Sequence, residues 1–239
     1  MYSKHCDNLR EIEGAIKLVE SDLRRYISTE QESKVYKYTK ILSYLVTCWS
    51  EVRILKLTYE DNAFTLSEIG IIINSGSLAD KWKNALKIAV CKAYNIKPIT
   101  DFDSQLPFSA KNRYLEIRHL IESDLLPSIE LRNRIAHGQW KYAFTTDLKN
   151  ANTQLTGQLR QENIVKLQLK RKLLTGLSFL IHDLIISEAT FDRDFDKNYR
   201  LIEENKRNLH KRDYASYKTK MIEKYQRGKL KKKENLEAE

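Results

Sequence analysis

Apolar side chains recur at three- and four-residue steps along most of the chain, the spacing that gives a helix one buried stripe. Leu9, Ile12, Ile16, Val19 and Leu23 predict an amphipathic helix over residues 7–27. Val35, Tyr38, Ile41, Leu42, Leu45, Trp49, Val52 and Leu55 carry the period across 31–60, long enough for a central bundle element. Residues 66–74, LSEIGIIIN, are apolar and β-branched, and periodicity does not separate a short buried helix from a strand there. Ser77 is a natural N-cap for a helix over 78–95 whose inner face carries Trp82, Leu86 and Val90. Residues 96–108, with Pro98 and Pro107, read as a loop before a helix over 109–124.

Pro127 lacks a backbone donor, so a helix is expected to break near Leu126 and to restart with Pro127 in its first turn. That helix runs to His137, where Gly138 can take the positive φ of a helix end. Trp140, Tyr142 and Phe144 are expected to pack over this end. Residues 145–160 are polar and read as a loop with room for a short element, and 163–189 form another central helix. Tyr214, Tyr217, Met221 and Tyr225 recur at helical spacing in the tail, as a stripe that either packs on the bundle or stacks on bases. The final GKLKKKENLEAE reads as frayed or disordered.

Composition agrees with this pattern. Seven Gly and three Pro in 239 residues are too few for the turns of a sheet protein. The fold class is therefore all-α, a bundle of about six to eight helices over 1–190 with a basic helical extension over 191–239. No apolar run approaches the roughly 18 residues of a membrane span, and the N-terminus lacks the apolar core of a signal peptide. Cys6, Cys48 and Cys91 are odd in number and widely spaced, which suits reduced, mostly buried thiols and a cytoplasmic location. Residues 206–233 hold twelve Lys or Arg against two acids, which accounts for the whole formal charge of +10. A polyanion is the partner this suggests, with Lys229, Lys231, Lys232 and Lys233 as candidate RNA-binding residues.

The chemistry concentrates in LLPSIELRNRIAHGQWKY, residues 125–142. At about 100° per residue, Asn133 and His137 are neighbours one turn apart and Arg132 flanks them. An imidazole can take a proton from a 2′-hydroxyl or give one to a leaving 5′-oxygen. A guanidinium presents paired donors to phosphate as charge gathers on its oxygens, and Asn133 can bind the phosphate or hold the imidazole. Glu51, in CWSEVRIL, is either a residue that faces this cleft and positions the catalytic groups or a solvated charge beside Trp49. One His serves one proton transfer, so a two-fold dimer would supply the second. His182 reads as a core or boundary residue. No zinc, P-loop or GxSxG motif is present, and no metal or cofactor is called for.

The run LRNRIAHG resembles the signature of the HEPN superfamily, all-α nucleases with Arg, a polar residue after it and His after four to six positions. Arg132, Asn133 and His137 match it position by position. Arg113 and His119, with five residues between them, also fit this range but lack the Asn and the glycine-terminated helix end. The resemblance implies a homodimer with a composite site and metal-independent endoribonuclease activity leaving 2′,3′-cyclic phosphate and 5′-hydroxyl ends. It also implies a place in toxin–antitoxin or antiphage defence, with an antitoxin or defence-system partner. The alternative is a non-catalytic helical module that binds RNA or a protein through the same face.

Overall fold

The structure, a computed structural model, describes residues 1–97 and 101–237. The helices are α1 (Tyr2–Ser28), α2 (Glu32–Thr58), α3 (Leu66–Ile73), α4 (Leu78–Ala93), α5 (Phe108–Leu120), α6 (Leu126–Ala136), α7 (Thr153–Gln161), α8 (Ile164–Ile186), α9 (Glu188–Lys211) and α10 (Tyr214–Glu237). The fold is an all-α bundle, as the periodicity predicts, and among the described residues extended pairing is confined to one isolated bridge between Phe144 and Ala151. No described helix is long and apolar enough to cross a membrane.

α2 is the central strut. It packs against α1, α4, α6 and α8, and it buries Leu42, Val46, Trp49, Ile54 and Leu57. The undecided stretch at 66–74 is helical because Thr65 and Glu68 form a reciprocal capping box, Thr65 accepting from the Glu68 N–H and Glu68 from the Thr65 N–H at 2.7 Å. Ser77 caps α4 as expected, accepting from the Asp80 N–H at 3.1 Å. In the expected loop over 96–108 the structure places a 3-10 turn at Phe102–Gln105, while residues 98–100 lie outside the described residues.

As expected, a new α-helix starts at Leu126 with Pro127 in its first turn, but no loop separates it from the helix before. α5 and α6 join through a π turn at Ile121–Leu125, in which the Leu126 N–H reaches back five residues to the Ile121 carbonyl. Widening the turn by one residue accommodates a proline that has no donor, so the backbone stays helical from α5 into α6.

Ser187 ends α8 and caps α9, and α9 folds back so that Phe191, Phe195 and Ile202 join the main core; that core therefore runs past residue 190. Gly176 on α8 permits this approach. A Cβ built there would sit 2.7 Å from Ile202 Cγ1, and Ile202 is fully buried. Gly176→Ala is therefore expected to lower unfolding stability by about 1–3 kcal/mol through overpacking. Gly14→Ala, in α1 with open space around it, should raise stability by about 1 kcal/mol through helix propensity. Urea titration of the two variants checks the contrast.

The tail is helical further along than expected, and residues 238–239 lie outside the described residues. α10 is helical through Glu237 where the last dozen residues read as frayed, and its Lys, Glu and Leu residues are good helix formers. Tyr214, Tyr217 and Met221 pack on the main core, whereas Tyr225 is exposed. Of the three free thiols, only Cys91 is buried; Cys6 and Cys48 are half-buried.

Candidate active site

α6 ends at His137 in a tightly specified turn. The Gly138 N–H donates to Ile135 and the Gln139 N–H to Arg134, with Gly138 at φ +76°, a conformation that favours glycine. Trp140 folds back over this end, its indole donating to the Ile135 carbonyl at 3.0 Å. Tyr36 of α2 donates its hydroxyl to the Trp140 carbonyl and so ties the turn to the bundle. Beneath it lies a second, smaller core of Leu131, Ile135, Ala143, Leu155 and Leu159, with Tyr44 and Trp140 against it. α7, which the polar sequence over 145–160 barely announces, is held here by the Asn152 N-cap and by Leu155 and Leu159. Tyr142 and Phe144 differ from expectation, since both are exposed rather than packed over the helix end.

Asn133 and His137 are exposed and line one side of a groove of about 540 Å³, together with Glu130 and Arg134. The other wall is Asn152, Gln154, Leu155 and Gln158. Gln158 Oε1 is buried there and has no hydrogen-bond partner within the described chain. A second hollow of about 440 Å³ begins on the far side of His137 and is lined by Trp140, Lys141, Tyr142, Phe144 and Leu148. The imidazole thus stands on a ridge between a polar groove and an aromatic hollow. Arg160 and Lys141 flank the Tyr142 ring at 5.3 Å and 5.6 Å, which makes that hollow cationic as well as aromatic.

Arg132 does not line this groove. It projects from the inward side of α6, between buried Ile129, Leu131 and Ile135, and its side chain is 19% exposed. There its Nη2 donates to Glu51 Oε2 at 3.1 Å, and Tyr44 and Cys48 of α2 lie close by. Burial pushes the Cys48 thiol up from its ordinary value, which keeps it neutral beside the ion pair. Arg132 Nε is buried without a partner. Glu51 is therefore in contact with the guanidinium and is half-buried rather than a free surface charge. Within one copy, Arg132–Glu51 and Asn133–His137 lie on opposite sides of the exposed Ala136, so the three residues of the signature are neighbours on α6 without sharing one groove.

The other candidates sort by their contacts. Arg113 is engaged by Asp192 and lies over the Phe195 ring at 5.0 Å, so it fastens α5 to α9. His182 Nε2 is 3.2 Å from Glu60 Oε1, at the boundary of the core. Sequence reasoning missed Glu130, Arg134 and the α7 wall. The first two were within reach, because Glu130 stands three positions before Asn133 and Arg134 three before His137; the wall depends on a contact between distant segments. No family model matches the chain, and no curated protein or solved structure matches it either.

Proposed function

We propose that the chain is a metal-independent endoribonuclease acting as a two-fold dimer, with His137 in proton transfer, Arg132 on the phosphate and Asn133 orienting substrate or imidazole. The observation that carries this reading is the pair Asn133–His137, exposed one turn apart at a fixed helix end and bordered by an open groove. In the reaction a 2′-oxygen bonds to phosphorus while the bond from phosphorus to the 5′-oxygen breaks. One group removes the 2′ proton and another protonates the leaving oxygen, which gives a cyclic phosphate and a 5′-hydroxyl with no water consumed. Glu51 supports the reading as a positioning residue, since its carboxylate fixes the guanidinium beside α2.

A second copy supplies what one copy lacks. Two α6 ends facing each other across a two-fold axis would place a second His137 and a second Arg132 along one cleft. The exposed Tyr142, Phe144 and Leu148 next to His137 suit such a contact. Dilution tests this directly. Specific cleavage activity is expected to fall as protein concentration drops through the dimer dissociation constant, in step with the dimer fraction seen by analytical ultracentrifugation. Activity per chain that stays constant in a monomeric sample would refute the composite site. The setting in toxin–antitoxin or antiphage defence, with an inhibitory partner in a cytoplasm, follows from the resemblance of Arg132, Asn133 and His137 to the HEPN signature.

One observation favours a second reading. Arg132 is already committed to Glu51 and turned inward, an arrangement equally suited to a non-catalytic module that binds RNA or a protein through the α6 end. That module would bind RNA in a salt-sensitive way and yield no cut product.

A further inference from the structure

We infer that the cleft between α1 and α10 binds the phosphate backbone of single-stranded RNA through Arg24 and Arg25 on α1 and Lys224, Lys229 and Lys232 on α10. The inference rests on the ribonuclease reading for the kind of polyanion; the cleft stands on its own geometry. It encloses about 510 Å³ and has no acidic residue among its described lining. Two carboxylates of α1 pair with the arginines. Glu20 meets Arg24 at 3.4 Å and Asp22 meets Arg25 at 2.9 Å, each through one terminal nitrogen, so both guanidiniums are held in place with further donors left over. The described lining thus holds five cations and no carboxylate, with two of the cations partly offset by pairs on α1.

The floor of the cleft fits a nucleic acid strand better than a free anion. Lys224, Gly228 and Lys232 stand one above another at four-residue steps on α10, so charge runs along a row. Gly228 interrupts that row with no side chain, and a Cβ placed there would meet nothing, so the chain backbone is open to close approach. Tyr225 is 38% exposed beside this row, with Lys229 Nζ 5.1 Å from its ring, while the other members of the aromatic stripe are packed on the core. An exposed ring next to a row of cations is the arrangement that stacks an unpaired base while its phosphates are neutralised.

The cleft also divides the basic tail into two classes that net charge does not distinguish. Lys224, Lys229 and Lys232 line it; Lys220, Lys231 and Lys233 fall outside, and Lys233 pairs with Glu237 at 3.6 Å. Binding of a fluorescent single-stranded 2′-O-methyl RNA, which cannot form a cyclic phosphate, would be measured by anisotropy across a salt series on the full chain. Replacing Lys224, Lys229 and Lys232 by Gln is expected to weaken binding roughly tenfold or more and to reduce the salt slope by about 2, at ~0.7 per phosphate contact. Replacing Lys220, Lys231 and Lys233 by Gln removes the same charge from the same helix and should leave the slope nearly unchanged. Arg25→Gln, on the opposite wall, should weaken binding severalfold. Equal losses in the two lysine triples at equal helicity, or no effect of Arg25→Gln, would overturn the cleft. Because this RNA is never cut, a chain that binds it in the stated way but fails to cleave ordinary RNA refutes the nuclease reading alone.

Discussion

His137→Ala is expected to lower the rate of RNA cleavage by a factor of about 10²–10⁴, the usual contribution of a positioned proton-transfer group, with no loss of thermal stability. The stability half of this expectation follows from exposure. The His137 side chain is exposed at the end of α6, and the turn is held by backbone hydrogen bonds from His137, Gly138 and Gln139 that alanine preserves. Rate measurements on the purified variant, paired with a melting curve, check both halves. Arg132→Ala should reduce the rate similarly, by about 10²–10³ for a lost donor to the developing charge. A cleavage rate unchanged in both variants would assign the activity elsewhere.

Lys40→Ala is expected to cost about 3 kcal/mol and to loosen the wall of the groove without touching the groove itself. Lys40 is 1% exposed, and its ammonium donates to the Leu159 carbonyl near the end of α7. Truncation leaves that carbonyl without its donor and removes a cation near Glu162, whose Oε2 is buried without a hydrogen-bond partner and whose Oε1 is held by Lys170 at 2.7 Å. Lost packing and an orphaned buried acceptor together reach this magnitude. Urea unfolding gives the cost, and faster amide exchange confined to α7 and the 139–152 segment gives the location.

The same lysine gives the fold a pH dependence of defined sign. Burial pushes its pKa down from the ordinary lysine value of 10.5, with Glu162 opposing the shift. The folded state therefore disfavours the ammonium, and the penalty is present below the lowered folded pKa. It is relieved as pH rises from there towards the ordinary value, because over that window the unfolded chain binds more protons. Wild-type stability is thus expected to gain on that of Lys40→Met through this alkaline window, and parallel curves would contradict it.

Local signals made most of the fold legible. The apolar spacing gave α1, α2, α4 and α8, Ser77 marked the start of α4, and Gly138 marked the end of α6. The sequence also held the Thr65–Glu68 capping box that decides α3, a signal in TLSE that outweighs an ambiguous run of Ile. What it did not hold was anything that depends on two distant segments meeting. Nothing in the sequence marks Lys40 as the donor to an α7 carbonyl, or sets Arg24 and Arg25 opposite the lysines of α10. The inward turn of Arg132 lay between these extremes: the wheel sets it beside Leu125 and Ile129, both buried, yet only the Glu51 contact on α2 shows where its guanidinium goes.

The central claim is that the end of α6 cuts RNA, and the ends of the product test it most directly. The purified protein would be incubated with single-stranded RNA in buffer containing chelator, and the fragments analysed by mass spectrometry. The account requires fragments bearing 2′,3′-cyclic phosphate and 5′-hydroxyl ends, formed by the wild type and lost in His137→Ala. Intact RNA at protein concentrations where the dimer is populated, or fragments with 5′-phosphate ends, would contradict it.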